Sequence, residues 1–178
     1  MVATPAHLGG HFGVTHCDEP TLNYLMANYA PIVSMIDVGC GPGAMVDLAV
    51  SKGIRAIGID GDPAVVQANG GIVEHDYTTG SLSLWPVDLV WSVEFVEHVE
   101  ERFVWNFLET FRNGRVLMMT HALPGQGGHH HVNEQLPEYW HKLLRSDGWT
   151  FDEVGTNWIR ANATDWYVRD TGMIWHRP

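Results

Sequence analysis

The chain has 178 residues, 45% of them apolar, which is enough for one domain with a real core and excludes a disordered segment. Ten Lys and Arg against 21 Asp and Glu give a net charge of −11, which repels a phosphate backbone and disfavours a nucleic-acid partner. No apolar run approaches the roughly 18 residues of a membrane span, and the first residues lack a basic stretch followed by an apolar one, so neither a membrane segment nor a signal peptide is expected. Only Cys17 and Cys40 are present, the second in a glycine turn, which argues against a structural disulfide and fits a reducing, cytoplasmic location.

Taken in order, residues 1–17 are rich in Gly and His and predict an irregular arm. Thr15 to Pro20 reads as a helix entry, with Thr or Asp as cap and Pro20 in the first turn. Leu22, Leu25, Met26 and Tyr29 follow at helical spacing, and Pro31 ends that helix. Ile32 to Val38 predicts a first strand, Gly43 to Lys52 a helix stopped by Gly53, and Arg55 to Ile59 a second strand. Asp62-Pro63 opens a short helix through Asn69, closed by Gly70-Gly71. Ile72 to Glu74 and Val87 to Trp91 predict strands three and four. Glu100 to Thr110 predicts a helix, Arg115 to Thr120 a fifth strand, and Leu136 to Ser146 a helix ended by Gly148. Thr150 to Val154 and Asp165 to Ile174 read as two last strands. The alternation predicts one α/β domain over residues 1–178, with a mostly parallel sheet and helices on both faces. The closing pair lacks room for two full crossovers and is expected as an antiparallel hairpin. The longest stretch without clear structure is His121 to Gln135, a length that in a compact domain points to function.

The most informative stretch is Met35-Ile36-Asp37-Val38-Gly39-Cys40-Gly41-Pro42-Gly43. An apolar run breaks into glycines at alternate positions. A second apolar run, Ala56 to Ile59, then ends in Asp60, 21 positions after Gly39. Strand, glycine turn, helix, strand and acid is how an α/β domain holds a nucleoside cofactor. Gly39, Gly41 and Ala44 also satisfy the dinucleotide pattern, so a small NAD-dependent oxidoreductase stands as an alternative, as does a ligand-free turn. The short chain leaves little room for the second half that an NAD fold needs.

This order resembles motif I and the acid that follows it in class I S-adenosylmethionine (SAM)-dependent methyltransferases, of the small, single-domain, type-11-like group. The resemblance spans roughly residues 32 to 155 and implies a Rossmann-like methyltransferase sheet with SAM as cofactor. It assigns Asp37 to the methionine amino group, Gly39, Gly41 and Gly43 to the cofactor turn, and Asp60, with Gly61, to the ribose hydroxyls. Asp76 is similar to the acid that accepts the adenine amino group, with Tyr77 beside it. Asp88 to Val99 resembles motif IV, which makes Ser92 and Glu94 cofactor-lining candidates. Glu97 and His98 read either as part of that motif or as a capping pair before the next helix.

The loop Gly125-Gln126-Gly127-Gly128-His129-His130-His131-Val132-Asn133-Glu134-Gln135 follows strand five, where open α/β sheets bind ligands. Similar loops, with a His-Val-Asn core followed by Gln and a Tyr-Trp pair, occur in methyltransferase-like proteins of bacteria and their phages. Three readings stay open. One is a catalytic base, with His131, His121 and His130 as candidates, because an imidazole with a pKa near ~6.5 suits proton removal from a hydroxyl. A second is a metal site from His129 and His131 with His121 or Glu134, although metal-using methyltransferases usually supply several carboxylates, and no metal is expected. The third is structural, with the imidazoles and Asn133 tying the loop down. In the arm, His16 and Asp18 would close over SAM, or Asp18 would cap the first helix. One or two of the C-terminal tryptophans would offer a flat platform for a ring or sugar.

The resulting expectation is a methyltransferase that O-methylates a small polar acceptor, with a saccharide as one option. A SAM-fold protein that binds without turnover is the alternative from another class. The partner is expected to be a small molecule, and a homo-oligomer is left open.

Overall fold

The computed structural model describes residues 5–68 and 71–177, and seven strands with seven α-helices are found among them. The strands are β1 Ser34–Val38, β2 Arg55–Asp60, β3 Ile72–Glu74, β4 Val87–Ser92, β5 Gly114–Met119, β6 Thr150–Phe151 and β7 Met173–His176. They form one sheet in the order β3-β2-β1-β4-β5-β7-β6. β1 to β5 run parallel, and β7 lies antiparallel to both β5 and β6. The order turns back between β1 and β4, so their carboxyl ends open the crevice where such sheets take ligands.

The sheet is buried on both faces because successive strand residues alternate between two apolar clusters. Ile36, Val38, Val90, Leu117 and Trp175 join one cluster with α4 (Val104–Phe111) and α5 (Pro137–Ser146). Met35, Leu89, Trp91, Met118 and Ile174 join the other, with α1 (Glu19–Asn28), α2 (Ala44–Ser51), α6 (Glu153–Asn162) and α7 (Trp166–Thr171). Leu22, Leu25, Phe107 and Phe111 are fully buried. Each such side chain contributes about 1.5–3 kcal/mol by leaving water. α3 (Pro63–Ala68) sits by β2 and β3.

The class of fold is the expected one, with its parallel core and antiparallel C-terminal pair, but that pair is not a hairpin. Val154, expected as the end of a strand, belongs to α6, and residues 166–171, expected within the last strand, form α7, which leaves Met173 and Ile174 as strand in β7. Asp152 caps α6 by accepting the Gly155 amide, and Asp165 caps α7 by accepting the Tyr167 amide. Trp166, Tyr167 and Val168 favour strands by propensity, but burial of Ile159 and Val168 at helical spacing outweighs that preference. The helix expected from Glu100 opens as a 3₁₀ turn, Glu101–Phe103, before α4. The expected helix stop at Asn69 and Gly70 lies outside the described residues. Asp18 is the cap of α1, accepting the Thr21 amide, and its other oxygen accepts from Thr164 and Asp165. That carboxylate therefore ties α1 to the α6–α7 junction. Among the described residues, no helix is long and apolar enough to cross a membrane.

Candidate active site

The carboxyl ends of β1, β2 and β4 open onto a cavity of about 500 Å³, within the range of small-molecule sites. Its floor is the β1–α2 turn. Gly39 and Gly41 both adopt positive φ, at 77° and 50°, which only glycine takes without strain. The Asp60 carboxylate fixes that turn from β2, accepting the Gly41 amide at 2.8 Å and the Asp62 amide at 2.9 Å. A carboxylate offers about four lone-pair sites, so Asp60 keeps acceptor capacity towards the cavity it lines.

Asp37 is buried at the end of β1, and its Oδ2 has no hydrogen-bond partner in the protein. Burial, and then the Asp60 charge, push its carboxyl up to about 8. A buried acid left unpaired at the wall of a cavity is suited to a cationic ligand group, and an amino group fits that need. At the other side of the cavity stand Asp76 and Tyr77. Asp76 holds the Thr78 amide and hydroxyl, and the Tyr77 hydroxyl donates to Thr110 at 2.8 Å, which leaves the ring as the cavity wall.

The N-terminal arm forms the roof. His7 stands 2.8 Å from Asp76, His11 stands 3.2 Å from Asp62, and His16 stands 3.0 Å from Asp165. The Asp165 hydrogen bond raises the His16 pKa. The Leu8 carbonyl meets His129 Nε2 at 3.1 Å, which joins the arm to the histidine loop. The arm, Trp166 and Tyr167 of α7, and the loop thus converge on one cavity.

The far end of the cavity is a cluster of acids and imidazoles after β4. Glu94 has a positive φ of 52° and lines the cavity, and its amide takes a hydrogen bond to the Thr120 hydroxyl. Glu97 and His98 lie on a 3₁₀ turn, Val96–His98. Glu97 is fully buried, and neither carboxylate oxygen has a partner. Burial holds both Glu94 and Glu97 well above the usual carboxylate range, Glu94 also through the Glu97 charge. His131 packs edge-on against His98, with ring centres 4.9 Å apart. One donor atom from each of Glu97, His98 and His131 lies within 4.8 Å of the other two.

Of the expected cofactor residues, the cavity brings together Asp37, Gly39, Gly41, Asp60, Gly61, Asp76, Tyr77 and Glu94. Gly43 is not on its wall; it sits at the N-terminus of α2 with φ 87°, facing Ile72. Ser92 is not either, since its hydroxyl donates to the Val38 carbonyl inside the sheet. Of the expected bases, only His131 lines the cavity. His121 is fully buried near Trp140, and burial pushes its pKa down to about 4. It sits in the core because β5 ends one residue earlier than expected and the chain turns inward there. His130 lies beside His7, outside the cavity wall, because its φ of 49° turns it away from its neighbours. Glu134 and Asn133 act structurally: Glu134 accepts the Gly125 and Gly127 amides, and Asn133 accepts from Gln135.

From the sequence alone, Glu97 and His98 read only as a cap or a motif tail. The arm and α7 contributions were missed apart from His16, because residues so distant in sequence carry no local signal of convergence. The Gly9-Gly10-His11 run was the available hint: a side chain at Gly10 would press on His98 and His129.

Residues 36–114 match the family model described as a methyltransferase domain. No curated protein matches the chain in sequence. Among solved structures, the magnesium protoporphyrin IX methyltransferase of Synechocystis PCC 6803 aligns with a TM-score of 0.65 at 15% identity, over 90% of this chain and 81% of that one. A TehB-like SAM-dependent methyltransferase from Corynebacterium glutamicum gives 0.63 at 16% identity, over 89% and 87%. A SAM-dependent methyltransferase from Archaeoglobus fulgidus gives 0.58 at 19% identity, over 75% and 67%. Residues 36–114 thus resemble a methyltransferase domain, and the fold of the chain is the one these SAM-dependent methyltransferases share.

Proposed function

We propose that the protein transfers a methyl group from SAM to a hydroxyl of a small polar acceptor, with saccharides among the candidates. The observation that carries this reading is one cavity with two chemically distinct sets of residues. The Asp37 carboxyl is unpaired and buried at its wall, and Glu94, His98 and His131 line the same cavity, with the buried Glu97 within 4.8 Å of the two imidazoles.

In the first set, Asp37 would hold the methionine amino group, Asp60 the ribose hydroxyls, and Asp76 with Tyr77 the adenine. His7 must then yield its place on Asp76. When bound, SAM supplies an electrophilic methyl on a sulfonium. The protein's own work is to align the acceptor and remove its proton. A hydroxyl needs that removal, whereas a neutral amine does not, and a cluster of imidazoles and raised-pKa carboxyls favours the hydroxyl. Trp166 and Tyr167 offer flat faces for a ring at the rim.

The test is incubation with methyl-labelled SAM and a panel of sugars, polyols, phenols and amines. Label transfer to a hydroxyl supports the reading, and transfer to amines alone would replace O-methylation with N-methylation. SAM binding with no transfer would favour a non-catalytic SAM-binding role.

A further inference from the structure

We propose that Glu97, His98 and His131 form a binding site for one divalent transition-metal ion at the acceptor end of the cavity. Through this ion the protein would grip and acidify the acceptor hydroxyl. The role given to the ion rests on the methyltransferase reading above; the site itself does not.

Three observations converge on it. The donors are already gathered within 4.8 Å of one another, and an ion that each ligand holds at about 2.1 Å needs only a small inward movement. Both oxygens of the fully buried Glu97 carboxylate lack a hydrogen-bond partner. A buried carboxylate without donors is costly unless a cation completes it. The protein supplies no such cation, since no Lys or Arg is among the described residues lining the cavity.

The surroundings hold the donors in place. The Glu97 carbonyl accepts the Val132 and Asn133 amides, each at 3.0 Å, which anchors the loop bearing His131 to the turn bearing His98. His98 is hydrogen-bonded to the His129 backbone. A Glu134 oxygen stands 3.4 Å from His131 Nδ1. Outer partners of this kind orient ligating imidazoles.

Two imidazoles with one carboxylate suit Zn²⁺, Co²⁺, Mn²⁺ or Fe²⁺. Mg²⁺ and Ca²⁺ prefer oxygen ligands throughout. Three protein ligands leave room for the acceptor oxygen, and a cation there lowers the pKa of a hydroxyl. The released proton would pass to bulk water.

The test uses the full chain stripped of metal, titrated with Co²⁺ by visible absorption and with Zn²⁺ by calorimetry, with SAM binding measured separately. We expect one ion per chain. His98→Ala, His131→Ala and Glu97→Gln should each weaken binding by more than about 100-fold, at least the cost of losing an outer-shell partner. His130→Ala, next in the chain but off the cavity wall, should leave it within about twofold. Unaltered melting and SAM binding certify each variant as folded; His98→Gln replaces any that fails. No saturable Co²⁺ or Zn²⁺ binding by the unaltered chain, or equal binding by folded His98 and His131 variants, would overturn the site. Full-rate methyl transfer in EDTA would overturn the role given to the ion while leaving the methyltransferase reading intact. Metal binding without SAM binding would do the reverse.

Discussion

The Glu97 carbonyl accepts the Val132 amide at 3.0 Å, and this bond carries the histidine loop to the end of β4. It is why His131, 33 positions beyond His98, packs edge-on against it. His131→Ala should therefore lower kcat by about 100-fold or more, since an imidazole that holds the acceptor's ion is lost. SAM affinity should change by less than about threefold, since His131 is not among the expected SAM contacts. Steady-state kinetics beside calorimetry checks the split, and an unchanged rate removes His131 from the mechanism.

Asp37 makes SAM binding pH-dependent. Its carboxyl titrates at about 8 in the free protein, so at pH 7 it is mostly protonated, and pairing with a cationic amino group must release that proton. Affinity should rise roughly tenfold per pH unit up to about pH 7, because the ionised form is the binding form. At pH 7, binding heat measured in buffers of different ionisation enthalpy should show close to one proton released. Asp37→Asn should abolish both effects and weaken binding. An equal pH slope in Asp37→Asn would show that another group titrates.

The same shift has a sign for stability. The folded chain keeps a proton on Asp37 that the unfolded chain gives up above about 3.8, so this contribution is lost as pH rises towards about 8. His98 and His121, lowered to about 4, act in the opposite direction. They favour the folded chain as pH rises, and that gain is complete above about 6.5. Between pH 7 and 8 the melting temperature of the free chain should fall, less steeply in Asp37→Asn. A rise across that window contradicts this ordering.

Gly39→Ala tests the glycine turn. A Cβ there would lie 2.7 Å from Phe95 at a φ of 77°, so both the backbone and the Phe95 ring must give way. Stability should drop by about 2 kcal/mol or more, with SAM binding weakened in parallel. Urea denaturation measures the first and calorimetry the second.

Asp18→Ala should cost about 1–3 kcal/mol, since a helix cap is lost and the amides of Thr164 and Asp165 lose their acceptor. Turnover of the folded fraction should be unchanged. A large loss of SAM affinity at full stability would instead return Asp18 to the cofactor.

The parallel core was legible because each strand is a short apolar run closed by glycine or an acid, and hydrophobic patterning is local. The acids at 37, 60 and 76 were legible because each lies at or just past the carboxyl end of a strand and so lands on the same edge of the sheet. α6 and α7 were not. Their Trp, Tyr and Val residues read as strand, and the choice of helix depends on burial against Leu22 and Leu25, far away in the chain. His121 misled for the same reason: its position after β5 suggested the cleft, but the chain turns it into the core beside Trp140. The pairing of His98 with His131 depends on a backbone bond between distant segments, which no sequence spacing announces.

The central claim is that the cavity beneath the arm is a SAM site. Calorimetric titration of the purified chain with SAM and, separately, with NAD tests it most directly. Saturable binding of one SAM per chain, weakened by Asp37→Asn, and no binding of NAD are expected. NAD binding without SAM binding would contradict it.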